Sequence, residues 1–142
     1  MVEALQAPNE GPANAMIYIL TASVAGLLLL QASGAIPQSS VGGPMTIAMA
    51  VFAGALAVAV HEAWTRRRGV FGWILNIVLV FVGAFLAAPI AGFVMVLLLS
   101  PFANGSSLAA SGGAVMSISL AGSMAISLMG SWGALQLANR WR

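Results

Sequence analysis

The chain has 142 residues, 61% of them hydrophobic and 6% charged, where an ordinary soluble domain is about 25% charged. Eight charged side chains cannot cover a 14.4 kDa surface in water, and a mean hydropathy of +1.01 sets most of the exterior against something apolar. The composition excludes a soluble globular protein and leaves a bilayer as the solvent. A sequence pI of 10.6 comes from five arginines beside apolar segments, with no basic face interleaved with aromatics, so no nucleic acid is expected as a partner. There is no cysteine, hence no disulfide, no thiolate nucleophile and no Cys-based metal site.

The fixed charges are Glu3, Glu10, Glu62, Arg66, Arg67, Arg68, Arg140 and Arg142. Between them lie two uncharged blocks, 11–60 and 69–139, of 50 and 71 residues. Each is long enough for two crossings at about 20 residues apiece. The expected fold class is all-α, a polytopic integral membrane protein with four transmembrane helices in a single membrane domain over 1–142. Residues 1–14 form a polar segment without the basic start of a signal peptide, so the first apolar run reads as a retained helix.

The first helix is expected over about 15–35, with Asn14 as N-cap and Pro37 closing it. A polar turn over 38–44 leads into a second helix, 45–64, rich in alanine. Glu62 and Arg66 stand four apart, in the favourable order for an intrahelical pair. His61, one position from Glu62, points about 100° away, and both read as groups solvated at headgroup level. The third apolar run, 70–99, would be about 45 Å long as a straight helix, more than a tilt within about 40° accommodates. Pro89 cannot donate to the Phe85 carbonyl and is expected to kink this helix. Residues 90–99 then either continue past the kink or lie in the interface. After a turn over 100–106, a fourth helix is expected over 108–137.

Short cytoplasmic loops collect arginine. Arg66, Arg67 and Arg68 mark one such loop, and two crossings later Arg140 and Arg142 fall on the same side. The connections over 36–44 and 100–107 are uncharged. Both termini are therefore expected to be cytoplasmic, in a bacterial inner membrane, with Trp64, Phe71, Trp73 and Trp141 as interfacial anchors beside the arginines.

The fourth helix carries Ser119, Ser123, Ser127 and Ser131 at every fourth position, with Gly122 and Gly130 on the same side. Met116, Leu120, Met124, Leu128 and Trp132 form a bulky stripe about 100° away. In lipid, small faces let backbones approach and serines hydrogen-bond across helices. This face can pack within the bundle, mediate self-association or docking on another membrane protein, or line a hydroxyl-rich pore. A second ladder, Gly72, Asn76, Val80, Ala84, Ala88 and Gly92, with Gly83 and Ala87 adjoining, marks the third helix and is expected to meet the fourth. Asn76 and Gln31 are the strongest hydrogen-bonding side chains within the spans and are expected to bond across helices. Pairing Ser131 with His61 supplies neither an oxyanion hole nor an orienting third group. The eight methionines read as packing filler. No catalytic residue, cofactor or metal is expected.

Residues 69–88, with their glycine start and with Asn76, Gly83 and Ala84, resemble the central helix of the transglycosylase-associated (GlsB/YeaQ-type) small membrane proteins. That resemblance implies a small inner-membrane protein with an envelope-related role. In size and number of spans the chain also resembles phage holins, which implies oligomeric pore formation. The expected function is non-enzymatic: an accessory or scaffold subunit, or a homo-oligomer, acting through small-residue helix packing. Its partners would be the bilayer and either itself or a larger membrane-protein complex; a holin-type pore former is the alternative.

Overall fold

The computed structural model describes residues 12–37, 41–103 and 113–141. Among these, four helices follow one another: α1 (Pro12–Ala32), α2 (Gly42–Thr65), α3 (Val70–Leu99) and α4 (Gly113–Arg140), with a single 3-10 turn at Ser100–Phe102. All four are long and apolar enough to cross a membrane. No strand occurs among the described residues.

The helix ends follow from local chemistry. α1 begins at Pro12, so Asn14 is an exposed residue of the first turn and does not cap it. Proline suits the first helical position because its missing N–H would have had no partner there. α1 stops at Ala32, short of Pro37, because Gly34 turns left-handed at φ 69°. The Ala35 N–H then bonds the Leu30 carbonyl at 3.1 Å and the Gly34 N–H bonds that of Gln31 at 3.1 Å, a Schellman end. α2 closes in the same way with Arg67 in the glycine position, at φ 47°. The Arg68 N–H bonds Ala63 O at 3.1 Å and the Arg67 N–H bonds Trp64 O at 3.0 Å.

α3 runs from Val70 to Leu99 with Pro89 inside it. Residues 90–99 therefore continue the helix and do not form a separate interfacial segment. Pro89 and Phe85 are both exposed. Proline is tolerated inside membrane helices where local backbone adjustment or neighbouring groups re-satisfy the freed carbonyl. α4 is observed from Gly113. The expected start at 108, the turn residues 104–107 and 38–40, the segment 1–11 and Arg142 lie outside the described residues.

α4 is the central helix. Its broadest interface is with α3, and it also packs against α1 and α2, while α2 packs on α3 and on α1. Met124 and Leu128, from the bulky stripe, are buried in the same core as Leu27 of α1 and Ala55, Val58 and Ala59 of α2. Phe52 of α2 meets Phe81 of α3 edge-on, ring centroids 5.3 Å apart at 83°. The large side chains left outside, among them Phe85, Leu86, Phe93 and Leu97, form an apolar girdle suited to lipid.

Candidate functional site: the helix seam and its polar ends

The α3–α4 seam is built where glycines leave room for backbone. A Cβ on Gly83 would lie 2.8 Å from Ala134 Cβ, 2.9 Å from the Gly130 carbonyl oxygen and 3.0 Å from Ser131 Cα. One on Gly130 would collide with Ala87, and one on Gly122 would meet the end of Met95. These pairs run in opposite senses along the chain, so the two helices are antiparallel. Ala84, Ser127 and Ser131 are buried in the bundle. The Ser131 hydroxyl donates to the Ser127 carbonyl at 2.9 Å, within its own helix, so the seam is held by close packing and not by this hydroxyl. Ser119 and Ser123 are half-buried.

The every-fourth ladder on α3 does not stay in the seam. Each four-residue step overshoots a full turn by about 40°, so the steps from Gly72 to Gly92 accumulate about 200°. Gly72 accordingly lies against the side chain of Arg68, and a Cβ on Gly92 would meet nothing within 4 Å. Ala88 is exposed. The buried positions run in steps of three and four through Asn76, Val80, Gly83, Ala87, Ala91, Met95 and Leu99, with Ala84 buried beside Gly83.

The two amides behave differently. Gln31 Nε2 donates to Ser117 Oγ at 3.0 Å, tying the end of α1 to the start of α4. Ser117 in turn donates to the Gly113 carbonyl at 3.1 Å. Asn76 is fully buried, and neither its nitrogen nor its oxygen has a hydrogen-bond partner, against the expectation that it would bond across helices.

At the opposite end a polar clamp joins three segments. Glu62 on α2 is only 5% exposed. Its Oε1 accepts from Arg66 Nε at 2.5 Å and from Asn139 Nδ2 on α4 at 2.9 Å. Asn139 Oδ1 accepts from Arg68 Nη2 at 2.5 Å. The helical step between His61 and Glu62 separates them: His61 is exposed, whereas Glu62 is buried and satisfied by protein, which corrects its reading as a solvated headgroup-level group. Of the arginines expected as topology anchors, Arg66 and Arg68 are engaged in the clamp, while Arg67 and Arg140 are exposed. The part played by Asn139 was hidden in the sequence, where it reads as one polar residue of an arginine-bearing tail.

Three of the concave surfaces have small or polar residues in their lining. A cleft of about 490 Å³ between α2, α3 and α4 is lined by Val51, Phe52, Phe85, Leu120, Ser123 and Ser127 among others. A second, also about 490 Å³, runs between α1 and α2 over Ala22, Ser23, Gly26, Ala53, Gly54 and Ala57. The third, about 510 Å³, lies at the arginine-bearing end between Ala13 of α1 and Arg140 of α4. Among the described residues no group of His, Asp or Glu is placed to hold a metal ion.

Four membrane-length apolar helices packed through a glycine seam define the class, a multi-pass α-helical membrane protein. Comparisons with protein-family models, with curated proteins and with solved structures found no match for the chain.

Proposed function

We propose that the chain is a small non-enzymatic protein of a bacterial inner membrane, an accessory or scaffold subunit or a homo-oligomer, whose action is helix docking. In this reading both termini and the 66–68 loop are cytoplasmic, and α3 bends at Pro89 to fit the bilayer. Arginine placement supports that orientation: the Glu62–Asn139 bond brings the 66–68 loop and the end of α4 to one end of the bundle, and the start of α1 lies there too.

The observation that carries the proposal is the small-residue groove between α1 and α2. Ala22, Ala53 and Ala57 are exposed, and a Cβ on Gly26 would meet nothing within 4 Å, so the chain's own packing does not require that glycine. In lipid, a small-lined groove is what a second helix needs for close backbone approach. The serine and glycine face of α4, Ser119, Gly122, Ser123, Ser127, Gly130 and Ser131, together with Gly83 and Ala84 of α3, is assigned to holding the bundle; its core positions are already covered by α3. The pore-forming alternative places Ser127 and Ser131 in a lumen and would require the seam that buries them to open.

The chain lacks cysteine, so single cysteines report proximity cleanly. Ala57→Cys in native membranes is expected to form a cross-linked adduct, with a second copy or with a partner chain, while Phe93→Cys on the outer face of α3 is not. Equal cross-linking at both positions, or none at Ala57→Cys, overturns the assignment of the groove.

A further inference from the structure

We propose that the cavity between the start of α1 and the end of α4 is a binding site for one anionic phospholipid. Its wall on α4 is graded. Arg140 stands at the outer rim, Gln136 one turn deeper, and Trp132 another turn below, a descent of about 12 Å along the helix. Ala13, Gly133 and Leu137 complete the lining. Cation, then amide, then indole, then apolar surface is the order in which a phospholipid presents phosphate, ester carbonyls and acyl chain.

The polar groups of all three are left unused by the fold, although the Trp132 ring packs against the core. Among the described residues Arg140 has no acidic partner, the one ion pair being Arg66–Glu62. Gln136 and Trp132 make no side-chain hydrogen bond there either. All three line the cavity and carry N–H donors, the complement of phosphate and ester oxygens. The space is kept open by glycine: a Cβ on Gly133 would meet nothing within 4 Å, so no packing demand explains that residue. The surrounding charge selects the headgroup. Four described arginines stand at this end against one glutamate, and that glutamate is buried. Such a surplus favours a lipid of net negative charge over a zwitterionic one.

The test is native mass spectrometry of the intact chain released from nanodiscs containing phosphatidylcholine alone or mixed with phosphatidylglycerol. Wild type is expected to retain one phosphatidylglycerol in preference to phosphatidylcholine. Arg140→Gln is expected to weaken that retention about fivefold, from the loss of one interfacial cation. Gly133→Leu fills the cavity without touching charge and is expected to weaken it at least as much. Arg67→Gln removes an exposed arginine outside the cavity and is expected to weaken it clearly less than Arg140→Gln. Equal retention of the two lipids, or an unchanged phosphatidylglycerol signal in both Arg140→Gln and Gly133→Leu, overturns the site. So does binding that appears only after Glu3 and Glu10 are both changed to Gln, which would assign the cavity to the chain's own acidic N-terminal segment.

Discussion

Asn76 has no exposed surface and no hydrogen-bond partner for either amide atom. An unsatisfied buried polar group costs about 1–3 kcal/mol, and an apolar residue of similar shape removes that cost. Asn76→Leu should therefore raise the thermal unfolding midpoint in detergent, corresponding to about 1 kcal/mol of added stability; a clear drop would mean that the amide is satisfied in the membrane. Arg67 is a second local anomaly. Its φ of 47° is the conformation in which glycine serves at helix ends. An L-residue held there costs on the order of 1 kcal/mol, so Arg67→Gly should stabilise the α2–α3 connection by about that amount. If unfolding curves show no gain, the Arg67 side chain supplies a compensating contact.

The clamp and the seam are the devices that place whole helices. Glu62 accepts from two segments at once, and removing it strands Arg66 and the Asn139 amide nitrogen at the junction of α2 and α4. Glu62→Ala is expected to cost about 2–4 kcal/mol, given the strength of charge-assisted bonds to a buried partner; Arg66→Gln, which breaks only the half-exposed branch, should cost less. Comparing the two by thermal melts separates a clamp from a surface ion pair, which would give similar small losses. In the seam, Gly83→Ala sets a methyl within 3 Å of α4 backbone. Overpacking of this kind costs about 1–3 kcal/mol, and wild-type stability in Gly83→Ala would contradict the close approach. The seam was partly legible in the sequence: Gly83, Gly130 and Ser131 stand out as small residues in bulky helices, and Gly83 does approach the other two closely. Ala88 and Gly92 were misplaced because a four-residue ladder winds around a helix of 3.6 residues per turn. The ends at Ala32 and Thr65 were less legible, since they depend on left-handed residues at Gly34 and Arg67, and an arginine gives no signal for that role. The Glu62–Asn139 bond joins residues 77 apart, and no local pattern announces it.

For the molecule as a whole, charge-free blocks of 50 and 71 residues set the number of helices, because hydrocarbon admits a spanning chain only where its backbone bonds are internal. Packing then decides which surfaces are spent. α4 presents small residues to α3 and bulky ones to α1 and α2, so the surface most easily read as an assembly face is occupied within one chain. The small residues that remain open lie along α1 and α2. Helix docking at this groove is the central claim, and native mass spectrometry of the chain gently extracted from its own membrane, with wild type beside Gly26→Leu, tests it most directly. Docking predicts that wild type emerges as a multiple of itself or bound to a larger complex, and that Gly26→Leu emerges as a folded monomer with an unchanged melting midpoint. A wild-type monomer, or an assembly that survives Gly26→Leu intact, would contradict it.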